Sequence, residues 1–116
     1  RDRRDLDRHP KVGASWEGMM LQQVTARLGA DPDDCFFWAT HSGAELDLLI
    51  VRGRRRWGFE FKRSSAPTLT RSLTAALDTL QLSRAFIIHA GDHTFQPHER
   101  VTAIPAARLL VDLPKS

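Results

Sequence analysis

The sequence has one cysteine, Cys35, in 116 residues. An internal disulfide framework is therefore excluded. At this length folding buries roughly two-thirds of the surface of the unfolded chain, enough for a core without a disulfide or metal staple. No apolar run approaches the roughly 20 residues that a membrane span requires. The N-terminus is a cluster of Arg and Asp rather than an apolar stretch, so it does not read as a signal peptide. Internal repeats and low-complexity tracts are missing too. Glutamate occurs four times and lysine three, against 14 arginines. What remains is the expectation of a single soluble, cytoplasmic globular domain. The sequence opens on Arg1 rather than Met, which reads as a trimmed chain or a piece of a longer polypeptide.

Charge adds little. The net charge is +3, from 17 basic and 14 acidic residues. Residues 1–11 carry +2 of it, and the other 105 residues carry +1. A nearly neutral body is weak support for a polyanionic partner on global charge alone. The arginines are clustered, however, with Arg52, Arg54, Arg55 and Arg56 in one short stretch. That cluster has two readings, a contact to a phosphate backbone or a solvated hairpin tip.

Residues 1–14 read as a linker, charged and then broken by His9-Pro10 and Gly13. A helix is expected from Ser15 to Leu28. Ser15 is a good N-cap, Glu17 suits the first-turn dipole, and Gly29 is a natural stop. Trp16, Met20, Val24 and Leu28 form its apolar stripe. Asp31 to Asp34 form a turn. Three strands are expected next: Cys35–Thr40, Ala44–Val51 and Trp57–Lys62, with Gly53-Arg54-Arg55 as the hairpin turn between the last two. In the third strand Trp57, Phe59 and Phe61 alternate with Gly58, Glu60 and Lys62. A second helix is expected over 70–82, and a buried strand over 85–90. Residues 93–100 are polar and carry no clear pattern. A short strand over 101–104 and a short helix over 106–111 close the domain, with 113–116 as a tail. The order helix, three strands, helix, strand predicts an α/β sandwich, a mixed central sheet with helices on both faces.

The chemistry concentrates in two places. Asp47 stands in a strand otherwise made of Leu46, Leu48, Leu49, Ile50 and Val51. A carboxylate in that company is expensive unless it is paired or binds a cation. Thirteen residues later come Glu60 and Lys62, two apart on one strand and so on one face, about 7 Å apart at the backbone. A hairpin between Asp47 and Glu60 brings their carboxylates side by side, and a divalent cation relieves their repulsion. Mg²⁺ is commonly held by one or two carboxylates plus waters and phosphate oxygens. The plainer reading leaves Glu60 and Lys62 as a solvent face and Glu17 as a helix-terminal charge. His89, His93 and His98 lack Cys or carboxylate partners at zinc-site spacing. The tryptophans Trp16, Trp38 and Trp57 read as packing residues.

Asp47 followed by Glu60-Phe61-Lys62 resembles the signature of the PD-(D/E)XK nuclease superfamily, with Leu46 in place of the name-giving proline. The stretches His9-Pro10-Lys11-Val12-Gly13, Trp16-Glu17-Gly18, Ser42-Gly43-Ala44-Glu45-Leu46-Asp47 and Glu60-Phe61-Lys62 resemble one branch more closely. That branch is the nuclease-like C-terminal domain of unknown function found in prokaryotic AAA-type ATPases. The resemblance spans roughly residues 9–112. It implies a restriction-endonuclease-like fold and metal-dependent hydrolysis of DNA or RNA. It implies Asp47 and Glu60 as ligands of Mg²⁺ or Mn²⁺, Lys62 as the catalytic lysine and Glu17 as a further acidic residue. Arg63 and Ser64, just after the motif, are candidate substrate contacts. The implied partners are nucleic acid and an upstream ATPase domain, for which this sequence has no Walker A loop. The alternative is a nuclease-derived module that no longer cuts and serves its ATPase in regulation, docking or nucleic-acid sensing.

Overall fold

The computed structural model describes the backbone of residues 6–8 and residues 15–115. Helix α1, Trp16–Leu28, forms where the apolar stripe predicts it. Ser15 caps it, its side chain accepting the N–H of Gly18 at 3.1 Å. Gly29 ends it in the left-handed conformation at φ +60°, which an L side chain rarely adopts. A 3₁₀ turn, Pro32–Asp34, leads into the sheet.

Seven strands form one mixed sheet among the described residues, in the order β1-β2-β3-β4-β5-β7-β6. They are β1 Leu6–Arg8, β2 Cys35–Ala39, β3 Glu45–Arg52, β4 Arg55–Lys62, β5 Arg84–His89, β6 Phe95–His98 and β7 Val101–Pro105. β1 to β4 pair antiparallel, β4, β5 and β7 run parallel, and β6 closes the far edge antiparallel to β7. Helix α2, Arg71–Thr79, is the crossover between the parallel strands β4 and β5. A 3₁₀ turn, Ala106–Arg108, and the short helix α3, Leu109–Asp112, follow β7.

Two cores lie on the two faces of the sheet. One joins Met20, Val24 and Leu28 of α1 and Leu109 and Leu113 to Leu48, Ile50, Trp57, Phe59, Phe61, Phe86 and Ile88. The other joins Leu73, Ala76 and Leu77 of α2 to Leu46, Leu49, Ala85, Ile87, Val101 and Ala103. The alternation expected in β4 holds: Trp57, Phe59 and Phe61 pack under α1, so Glu60 and Lys62 stand on the α2 side. Phe59 stacks on Phe86 with ring centroids 5.2 Å apart.

Several boundaries move. The expected linker contributes β1 at Leu6–Arg8, which adds a strand to the edge of β2; the rest of residues 1–14 lies outside the described residues. Phe95–His98, unassigned from its pattern, is the other edge strand, where the Pro97 nitrogen has no ladder bond to donate. Arg55 belongs to β4 rather than to the turn, and Gly53 makes the bend at φ +60°. The second helix stops at Thr79 because Leu80 caps it and Gln81 turns to φ +53°. The tail begins later than expected. Leu113 is fully buried, and its carbonyl accepts Arg27 Nε at 3.0 Å.

Candidate functional site

The site starts from a register defect. Between the pairs Phe36–Leu49 and Trp38–Leu46, β2 advances two residues while β3 advances three. The extra residue is a β-bulge in β3 around Asp47 and Leu48. Its effect shows in the packing. Leu46 joins the α2-side core with Leu49, whereas strict alternation from Leu48 and Ile50 would send it to the other side. Bulges of this kind re-aim side chains and end pairing. The β3–β4 ladder runs from Arg52–Arg55 to Leu48–Phe59. Asp47 and Glu60 each follow directly beyond that last pair, where the ladder has stopped. There the Asp47 carboxylate itself takes over from backbone pairing, Oδ2 accepting the N–H of Phe61 at 2.8 Å.

The approach to Asp47 is fixed by its own turn. Thr40 N–H donates to the Ala44 carbonyl at 2.9 Å, Gly43 N–H donates to the Thr40 carbonyl at 3.1 Å, and Ala44 N–H donates to Thr40 Oγ1 at 3.1 Å. Gly43 sits at φ +96°, which accounts for glycine at that place in the Ser42-Gly43-Ala44 stretch. Glu45 is exposed, and its backbone N–H donates to Ser72 Oγ at 3.2 Å, tying β3 to the first turn of α2.

Glu60 is half-buried and held from the α2 side. Thr70 Oγ1 donates to its carboxylate, 3.2 Å from Oε1 and 3.4 Å from Oε2. The same Oγ1 accepts the N–H of Leu73 at 3.0 Å, so one hydroxyl caps α2 and orients Glu60. Burial pushes the Glu60 carboxyl above the ordinary carboxylate value of 4.5. The Thr70 hydrogen bond and the Lys62 charge pull it down, and the Asp47 charge pushes it up again. Asp47 and Lys62 therefore both act electrostatically on Glu60, at the C-terminal end of β4. That is the end where ligands bind in parallel sheets.

The other expected site residues fall outside this trio. Glu17 is exposed in the first turn of α1, whose core lies on the opposite face from Glu60. Among the described residues no three His, Cys, Asp or Glu side chains gather closely enough to hold a metal ion, so Glu17 does not complete a triad with Asp47 and Glu60. Arg63 and Ser64 are exposed at the start of the β4–α2 loop. Ser64 is not at the helix terminus, which Thr70 caps; its hydroxyl accepts the N–H of Ala66 at 3.3 Å.

One neighbour had no signal in the pattern. His89 is the parallel partner of Lys62 and is 1% exposed. Its Nδ1 accepts the Gly91 N–H at 3.0 Å, which places the proton of the neutral ring on Nε2. Nε2 is buried without a hydrogen bond, and burial lowers the His89 pKa against the opposing effect of the His93 backbone. The ring stands 5.9 Å from that of Phe95. His89 and Phe95 line a cleft of about 390 Å³ with residues of the β4–α2 loop, including Ser65 and Pro67.

A donor set of two carboxylates and no thiolate suits a hard cation that keeps much of its water, as Mg²⁺ and Mn²⁺ do, rather than a closed zinc site. On that chemistry the residues present fit a divalent ion that borrows further ligands from water or substrate.

Comparison with known proteins places the chain. Residues 12–109 match a family described as a domain of unknown function, DUF4143. The chain belongs to this family. Uncharacterized proteins of Mycobacterium bovis and Mycobacterium tuberculosis are each 45% identical to it over 109 residues, 94% of this chain. The chain spans 24% of the length of each of these relatives. No solved structure matches it. No helix among the described residues is long and apolar enough to cross a membrane.

Proposed function

We propose that this DUF4143 domain is a nuclease-like module of restriction-endonuclease-like fold that hydrolyses phosphodiester bonds of DNA or RNA with a divalent metal. The observation that carries the reading is the meeting of Asp47, Glu60 and Lys62 at a strand bulge. There Asp47 Oδ2 replaces a strand pairing by accepting the Phe61 N–H, and Glu60 responds to both Asp47 and Lys62. Asp47 and Glu60 are the residues that would hold Mg²⁺ or Mn²⁺. Such an ion supplies positive charge against a phosphoryl oxygen and lowers the pKa of water.

The chain's own residues supply the rest. Phe61 N–H fixes the position of the Asp47 carboxylate. Thr70 fixes the Glu60 carboxylate. Lys62 places a point charge that acts on Glu60, where negative charge develops in phosphoryl transfer. Ser64 and Arg63 extend this edge toward the rest of a substrate. Glu17, on the other face, has no part in the trio.

The relatives are about four times longer than this chain, which accommodates the upstream AAA-type ATPase domain that the resemblance implies. A second reading rests on the ligand count. With two carboxylates rather than three, the domain would bind metal weakly and serve its ATPase as an inactive regulatory or docking module.

Calorimetric titration with Mn²⁺ separates these readings, using the wild type, Asp47→Ala and Glu60→Ala. Heat of binding in the wild type that disappears in both variants supports the metal site, and cleavage assays on the same proteins then test hydrolysis. A wild type that binds no Mn²⁺ at millimolar concentration, and cuts neither DNA nor RNA, overturns the nuclease reading in favour of the inactive module.

A further inference from the structure

The end of the sheet away from Asp47 carries a feature that the proposed reaction does not use. β3 ends at Arg52 and β4 begins at Arg55. At a rise of roughly 3.3 Å per residue, Arg52 is about 17 Å along β3 from Asp47. β5 begins beside them at Arg84, the parallel partner of Trp57. An open cleft of about 700 Å³ lies here, lined by Arg52, Arg54, Arg55, Trp57, Ser83 and Arg84. No carboxylate lines it among the described residues. The segments that build it, residues 48–59 and 79–91, hold five arginines and no acidic residue. Residues 12–116 carry +1 in all, and without these five arginines they would carry −4, so positive charge is concentrated at one place.

The arginines do different work. Arg52 is engaged with the body: Nη2 donates to the Leu28 carbonyl at 2.6 Å, and its charge acts at Cys35 alongside those of Asp34 and Asp31. Arg55 and Arg84 lie over the Trp57 ring, 5.4 and 5.5 Å from its centroid, and Arg84 also lies 4.9 Å from the Phe86 centroid. Such contacts hold the guanidinium charge against the ring. Arg54 and Arg55 are exposed at the hairpin. The result is a set of guanidinium groups pre-positioned on an aromatic floor, which lowers the ordering cost of binding an anion.

The nature of the floor decides the kind of partner. Trp57 is only 6% exposed, so it offers no platform of its own. The large exposed apolar side chains, Met19, Phe95, Leu110 and Val111, are not among the cleft's lining residues. A protein interface draws most of its affinity from an apolar or aromatic centre. A phosphate backbone needs only charge and hydrogen-bond donors. We propose that this cleft binds the phosphate backbone of a nucleic acid through Arg54, Arg55 and Arg84, without reading sequence and independently of Asp47 and Glu60.

The test is fluorescence anisotropy of a labelled DNA duplex titrated with this chain in EDTA, at several salt concentrations. Three phosphate contacts predict a slope of log affinity against log salt of about −2.7. The double reversal Arg54→Glu with Arg55→Glu should weaken binding at least about tenfold at low salt and reduce the slope by about two. Lys115→Gln, at an exposed lysine outside the cleft, should bind as the wild type does. The milder pair Arg54→Gln with Arg55→Gln should show the same reduced slope, which guards against a folding defect in the reversal. Wild-type-like binding by both arginine pairs overturns the proposal, and so does a wild type that does not bind the duplex. Binding of poly-glutamate in place of DNA, abolished by the same variants, also overturns it and assigns the cleft to an acidic protein. Because EDTA is present throughout, absence of cleavage elsewhere bears on the nuclease reading and not on this one.

Discussion

The Asp47 carboxylate accepts the backbone N–H of Phe61 at 2.8 Å, one step past the last paired residues of β3 and β4. A side chain here does the work of a strand pairing, and this sets two separable demands on position 47. The fold needs an acceptor oxygen. The proposed metal needs a negative charge. Asp47→Ala removes both and leaves a half-buried N–H without its partner, at a cost of about 1–3 kcal/mol. Asp47→Asn keeps an acceptor for Phe61 and loses only the charge. The expected outcome is a clear loss of stability in urea melts for Asp47→Ala and a much smaller one for Asp47→Asn, with Mn²⁺ binding abolished in both. Equal stability losses would show that Asp47 charge, not its hydrogen bond, holds the strands.

Glu60 gives a pH prediction. Its folded pKa is raised above 4.5, chiefly by burial and further by Asp47. A carboxyl raised in the folded state releases its proton less readily there than in the unfolded chain. Below pH 4.5 both states hold the proton and Glu60 costs nothing. As pH rises through the raised value, the charged form appears in a place that disfavours it, and stability falls. Glu60→Gln removes that charge while its side-chain carbonyl still accepts from Thr70. It should therefore be more stable than the wild type at pH 7, with the difference vanishing near pH 4. Chemical denaturation at the two pH values reads this directly. Mn²⁺ should stabilise the wild type at pH 7 and leave Glu60→Gln unchanged, because only the former has two carboxylates to neutralise.

Thr70 tests whether the hold on Glu60 and the cap of α2 are one device. Thr70→Val keeps the shape and loses the hydroxyl. It should cost about 1 kcal/mol from the lost cap and raise the Glu60 pKa further, since the hydroxyl's bond lowers it. Thr70→Ser should restore both. Carboxyl titration by NMR, followed alongside thermal melts, separates the effects. A stability loss with no movement of the Glu60 titration would mean that the Thr70–Glu60 contact carries no weight.

What was legible in the sequence was local. The stripe of Trp16, Met20, Val24 and Leu28, capped by Ser15 and Gly29, specifies α1 through neighbours within a few residues. The alternation in Trp57–Lys62 gives the faces of β4, and a lone Asp47 among Leu46, Leu48 and Leu49 marks itself by the cost of its burial. The bulge that aims Asp47 was not legible, because register depends on which residues of β2 lie opposite. The edge strands β1 and β6 were missed for a related reason. Leu6–Arg8 is short and mostly charged and Phe95–His98 contains Pro97, so neither carries an alternating apolar face, and pairing alone defines them. Glu17 shows a different limit of local reading. An acidic residue at a helix start is favoured by the dipole alone, and here the helix carries it on the face opposite the trio. His89 gave no warning because its significance lies in being the partner of Lys62 across β4 and β5.

Gly91 joins the two loops that flank the end of these strands, and it does so by having no side chain. A Cβ at this position would lie 2.4 Å from the Ser65 carbonyl oxygen and 3.0 Å from His89 Nδ1. The obstacle is backbone on one side and a buried ring on the other, so neither can swing away. Gly58 makes a useful contrast. A Cβ there would meet Leu82 Cδ1 at 2.6 Å and Leu46 Cδ2 at 3.1 Å, both ends of flexible side chains that can shift. Gly91→Ala must push the β5–β6 turn away from the β4–α2 loop and disturb the Gly91 N–H bond to His89, an overpacking cost of about 1–3 kcal/mol. Gly58→Ala should cost less than Gly91→Ala. The displaced loop is the one that runs from Lys62 to Thr70, so Gly91→Ala should also loosen the hold on Glu60. Denaturant melts rank the two variants, and the Glu60 titration in folded Gly91→Ala should move upward while that in Gly58→Ala stays put. If Gly91→Ala melts like the wild type, the two loops are not locked together and the cleft beside His89 is free to change shape.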